Sequence, residues 1–108
     1  MTRLAKVIDH YYAQRGYVWP DFADAMKFVQ TELGEVYELD LARSANYVRN
    51  NPQNKPQFDL EALGEELGDV LMMVMVAGMV EGVDPLQSLE DKIQRKLHKL
   101  NLPPYMED

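Results

Sequence analysis

Residues 32–36 read Glu-Leu-Gly-Glu-Val, and residues 66–70 read Glu-Leu-Gly-Asp-Val. Each string sets two carboxylates three residues apart. On a helix that spacing leaves them about 60° apart on one face. Leu33 with Val36, and Leu67 with Val70, are expected to point inward, which puts the acids at the edge of a buried face. Like charges at this spacing oppose a helix. Gly34 and Gly68 oppose it again, by roughly 1 kcal/mol each against alanine. A motif repeated against helix stability suggests two helices meeting closely at their glycines, with Glu32, Glu35, Glu66 and Asp69 converging. Four converging carboxylates stay ionised only around a cation. Oxygen donors of this kind favour magnesium, manganese or calcium over zinc.

A lone ExxE is ordinarily a solvated helix face, and duplication alone would also echo a motif. The shared Leu-Gly centre on two long helices argues for convergence. A di-iron carboxylate bundle needs Glu-x-x-His pairs. His10 and His98 stand alone, neither three residues after a glutamate, so that chemistry is set aside.

The elements that must position these acids read as four helices and no strand. Leu4, Val7, Ile8, Tyr11 and Tyr12 fall at helical spacing, with Gly16 as the stop. Pro20 and Asp21 open a second helix. Its apolar repeat runs on to about Val48, with a break expected over 40–44. Residues 50–57 (NNPQNKPQ) form a loop. Asp59 caps a third helix, which runs to Glu81 with Gly82 as its C-cap. Asp84 and Pro85 start a fourth, with Gln87 completing a capping box. It carries Leu86, Leu89, Ile93 and Leu97 on one side and ends before Pro103. Residues 105–108 read as a tail. Beyond Asp69 the third helix is apolar all round, so it must be surrounded. Met72, Met73, Met75 and Met79 are core fillers there. A single 108-residue domain spanning residues 1–108 offers few helices to surround it, so a second copy is expected to complete the bundle.

Composition bounds the chemistry. The net charge of −7 and pI near 4.7 exclude a nucleic-acid duplex as main partner, because backbone phosphates need a basic face. A phosphorylated small ligand remains open, since a cation can bridge it to carboxylates. Without cysteine there is no disulfide and no thiolate metal site. The apolar run over 70–80 is too short to span a bilayer, and the start lacks a signal-peptide h-region. A soluble, cytoplasmic protein is expected.

The two motifs, their order and the helical context resemble the MazG-like all-α nucleotide pyrophosphohydrolases. The likeness covers roughly residues 19–103. It implies an all-α, four-helix bundle completed by homo-oligomerisation, as a homodimer or homotetramer. It implies magnesium, with manganese as the alternative, held by Glu32, Glu35, Glu66 and Asp69. The implied reaction takes a nucleoside triphosphate to its monophosphate and pyrophosphate, as in house-cleaning of non-canonical nucleotides. Water attacks the α-phosphate, oriented by a carboxylate such as Glu35 or Glu38. Lys92, Arg95 and Lys96 resemble the family's basic segment, with Lys92 the foremost phosphate contact and Lys27 a lesser one. The same cluster would also complement a helix C-terminus. Trp19 and Phe22 are candidates to stack on the base, against an ordinary role in the core.

Two departures stand out. Thr31 occupies a position where many members have a further glutamate, and the spacer from Glu35 to Glu66 is long. Phosphoribosyl-ATP pyrophosphohydrolases are the nearest alternative. Their second motif usually continues Asp-Leu-Leu-Tyr-His, whereas here residues 69–73 read Asp-Val-Leu-Met-Met. A non-catalytic helical dimerisation module is the alternative from another class.

Overall fold

The computed structural model describes residues 1–50 and 58–107. Those residues form five helices and no strand: α1 (Arg3–Arg15), α2 (Phe22–Leu41), α3 (Ala45–Asn50), α4 (Leu60–Met79) and α5 (Pro85–Lys99). The all-α expectation holds, with one helix more than the sequence suggested. The additional helix arises at the expected break. Leu41 ends α2, a turn follows, and Ser44 Oγ accepts the Tyr47 N–H at 3.4 Å to start α3. Asn50, expected to open the loop over 50–57, instead closes α3. The remainder of that stretch lies outside the described residues.

Short polar side chains start the helices. Asp21 Oδ1 accepts from Asp24 N at 2.8 Å, and Asp59 Oδ1 accepts from Ala62 N at 2.7 Å. Each satisfies an N–H that has no partner within its helix. Asp84 Oδ1 accepts from Leu86 N and Gln87 N, while its Oδ2 takes Thr2 N at 2.6 Å. Asp84 therefore caps α5 and holds the residue that caps α1. The reciprocal half of the capping box is absent, because the Gln87 amide turns forward to Glu90 and Asp91.

Gly16 (φ +64°) and Gly82 (φ +80°) supply the left-handed residues after α1 and α4. The third expected helix stops at Met79, two residues short of Glu81. Val83 N reaches back to Gly78 O at 2.9 Å and closes the turn. Pro85 packs over Gly78 so closely that a Cβ there would lie 2.8 Å from Pro85 Cδ. This is the elbow between α4 and α5.

Helices α2 and α4 pair along their length, while α1 and α5 each meet α4 over a short stretch. The α2–α4 pair is antiparallel. Phe22 lies near Met79 around one cleft, and Glu32 and Glu35 lie beside Glu66 and Asp69 further along. Ala5, Ile8 and Tyr12 of α1, Ala25 of α2, and Met75, Val76 and Ala77 of α4 form the core. Met72, Met73 and Met79 pack against it as expected. The enclosure of α4 is incomplete, with Leu71 54% exposed, and α5 buries no residue.

Candidate metal centre

The antiparallel pairing brings the two acidic motifs level. One ligand oxygen from each of Glu32, Glu35, Glu66 and Asp69 lies within 4.8 Å of the others. Glu32 and Glu66 are half-buried and project into the seam, while Glu35 and Asp69 are exposed at its edge. Val36 and Val70 are half-buried, as the sequence suggested. Leu33 and Leu67 are not: both are exposed. A further correction concerns Gly34 and Gly68. A Cβ built on either meets nothing within 4 Å. The convergence of the acids therefore comes from the pairing register, without close approach at the glycines.

The electrostatics are those of a site short of positive charge. Among the described residues the ion pairs are Lys27 with Asp24 at 3.7 Å and Arg43 with Asp40 at 2.6 Å. Neither reaches the cluster. Glu32 Oε2 and Glu66 Oε2 are buried without a hydrogen-bond partner. Burial pushes the Glu32 carboxyl above the usual carboxylate range, and Glu35, Asp69 and Glu66 push it further. Burial raises Glu66 as well, followed by Glu35, Asp69 and Glu65. Buried oxygens without donors are costly to keep. A divalent cation fits both the hard-oxygen donor set and the unpaired Oε2 atoms.

The other sequence candidates are placed elsewhere. Lys92, Arg95 and Lys96 are exposed on α5, with no ion pair to the four acids. Lys27 is exposed and pairs with Asp24. Trp19 stacks on Tyr12 with centroids 4.3 Å apart, and it packs against the core. One face of the indole is thus taken by the protein. Trp19 and Phe22 also line a cleft of about 890 Å³ with Asp9, Met79 and Val83. Phe22 lies ten residues from Glu32 on α2, about 15 Å along the axis. Sequence reasoning missed this cleft because its walls come from α1, the start of α2 and the α4–α5 elbow. No periodicity within one segment signals such a meeting.

No protein-family description, curated protein or solved structure matches the chain. No described helix is long and apolar enough to cross a membrane.

Proposed function

We propose that this chain is a magnesium-dependent nucleoside triphosphate pyrophosphohydrolase acting as a homo-oligomer. One observation carries the reading: four carboxylates from two paired helices converge, and two of them bury an oxygen that has no donor. The MazG-like motif pair supplies the reaction class.

Glu32 and Glu66, half-buried in the seam, and Glu35 and Asp69, exposed at its edge, would hold a divalent cation where a phosphate chain can approach. A bound divalent cation supplies charge neutralisation at the phosphoryl oxygens and makes a nearby water more acidic. Glu35, exposed and level with the cluster, accepts a hydrogen bond from the attacking water and orients it. The bond broken joins the α-phosphorus to the bridging oxygen. Water supplies the oxygen added to the monophosphate, and pyrophosphate departs. The phosphate role proposed for Lys92, Arg95 and Lys96 requires an α5 helix, from this or a second copy, to lie beside the carboxylates.

The test is a panel of ribo- and deoxynucleoside triphosphates with magnesium, resolved by phosphorus NMR. Monophosphate with pyrophosphate, abolished by chelator, is the expected product pair. Diphosphate with orthophosphate would move the attack to the terminal phosphate. Turnover of phosphoribosyl-ATP alone would reassign the substrate, and no turnover of any substrate would leave a binding module.

A further inference from the structure

The geometry points to the cleft between α1, the start of α2 and the α4–α5 elbow as a binding site for a linear polyamine, a cation whose ammonium groups are joined by methylene chains. The inference rests on that cleft alone and is independent of the hydrolysis proposed above. The cleft's volume of about 890 Å³ lies in the range of small-molecule sites. Its walls are largely apolar. Trp19 and Phe22 line it from the entry to α2, and Met79 and Val83 line it from the end of α4. Phe22 and Val83 are each 46% exposed, and Tyr12 stacks on Trp19 from one side alone. Apolar and aromatic surface is thus left open within a concave site.

Every charged side chain lining the cleft is acidic: Asp9 on α1, Asp21 before α2, and Glu81 and Asp84 at the elbow. No lysine, arginine or histidine lines it, and an α-ammonium on Met1 would offset one charge of the four. Asp84 is engaged in the fold, since both its oxygens accept backbone N–H groups. Asp21 Oδ1 caps α2. Asp9 and Glu81 are exposed and make no hydrogen bond or ion pair among the described residues. Their carboxylates are free to meet a cation.

This chemistry selects among ligands. Four carboxylates repel a phosphate chain. A divalent ion needs several oxygens at one point, and among the described residues only Glu32, Glu35, Glu66 and Asp69 bring three or more ligand atoms together. The acids of the cleft are instead spread over three elements around an apolar wall. A neutral aromatic would cover that wall and leave Asp9 and Glu81 unanswered. A linear polyamine satisfies both features. Its methylene chains cover apolar surface, its ammonium groups reach separate carboxylates, and aromatic faces attract a cation. The cleft is also distinct from the acidic quartet. Phe22 lies ten residues from Glu32, and Met79 ten from Asp69, about 15 Å along each helix. An occupant ties α1, the start of α2 and the elbow together without covering the quartet.

Isothermal titration of the full chain with spermidine, in low salt and saturating magnesium, tests this. Trp19 is the only tryptophan of the chain, so its fluorescence reports occupancy of the cleft in the same samples. The wild type is expected to bind spermidine with a shift in Trp19 emission, and to leave adenosine, a neutral aromatic probe, unbound. Asp9→Asn/Glu81→Gln is expected to weaken spermidine binding by about tenfold, the effect of losing two exposed ion pairs. If that variant fails to fold, Val83→Lys decides. Its ammonium is expected to occupy the cleft and abolish binding, and the exposed position tolerates the change. Glu32→Gln/Glu66→Gln is expected to bind spermidine as the wild type does. A wild type that gives neither heat nor an emission shift would overturn the inference. So would a cleft variant that binds as tightly as the wild type, or adenosine binding more tightly than spermidine. Loss of binding in the Glu32/Glu66 variant would overturn it too, by placing spermidine on the quartet.

Discussion

Glu32 on α2 and Glu66 on α4 each bury one carboxylate oxygen, Oε2, without a donor, and ligand oxygens of the two residues lie within 4.8 Å of each other. Two acids pressed together in this way weaken the fold that holds them. A proton or a cation between the helices would relieve the repulsion.

Removing one of these charges should therefore stabilise the protein in chelator. Glu66→Gln keeps the shape and relieves the repulsion, so its melting temperature is expected to exceed that of the wild type in EDTA. Magnesium should reverse the order. A hundredfold excess over Kd adds about 2.7 kcal/mol to a protein that binds it, and the variant should gain little. Thermal melts of both proteins with and without magnesium check this. Equal magnesium shifts in the two would contradict it.

The pH dependence in EDTA follows from the same pair. Glu32 and Glu66 have raised pKa values when folded, so the folded state holds their protons more tightly than the unfolded state. Stability then falls as pH rises from the ordinary carboxylate range through the raised values. Asp84 behaves oppositely. The Thr2 N–H lowers its pKa most, with the Gln87 and Leu86 N–H groups assisting. Its contribution is present above the ordinary carboxylate range and lost as pH falls through the lowered value. Melts across pH should show a maximum on the mildly acidic side, and excess magnesium should remove the decline toward neutrality. A steady rise to neutral pH in EDTA would be inconsistent with the raised pair.

Much of this was legible in the sequence, and for local reasons. The aspartate caps at 21, 59 and 84 and the glycine stops at 16 and 82 act within a few residues of their position. The acidic quartet was legible because helical phase places i and i+3 on one face. What escaped depends on distant partners. Nothing near Asp84 announces Thr2, and nothing near Trp19 announces the Tyr12 ring. Leu33 and Leu67 were expected inside because apolar residues have a helical phase but no label saying which of two apolar faces its own chain covers.

The glycines separate two kinds of helix packing. Gly68→Ala has open space around the new methyl and should gain about 0.5–1 kcal/mol from helix propensity. Gly78→Ala drives a methyl into Pro85 and toward Val83 O at 3.1 Å, and should cost about 1–3 kcal/mol. Urea denaturation of both variants reads the two signs. A stabilised Gly78→Ala would mean that the α4–α5 elbow yields.

Trp19→Ala tests whether the indole serves the fold or the ligand. Its stacking on Tyr12 predicts a loss of about 2–3 kcal/mol, below the roughly 3–5 kcal/mol of a fully buried Trp because Trp19 is only half-buried. KM for the triphosphate should stay unchanged when measured on folded protein. A tenfold higher KM with unaltered stability would return Trp19 to the substrate.

The most direct test of the central claim is manganese binding, followed by the loss of the free-ion signal in electron paramagnetic resonance. The wild type should take up manganese, magnesium should displace it, and Glu32→Gln/Glu66→Gln should leave the ion free. A wild type that leaves manganese free, or a double variant that binds it as tightly, would contradict the assignment of Glu32, Glu35, Glu66 and Asp69 as a metal centre.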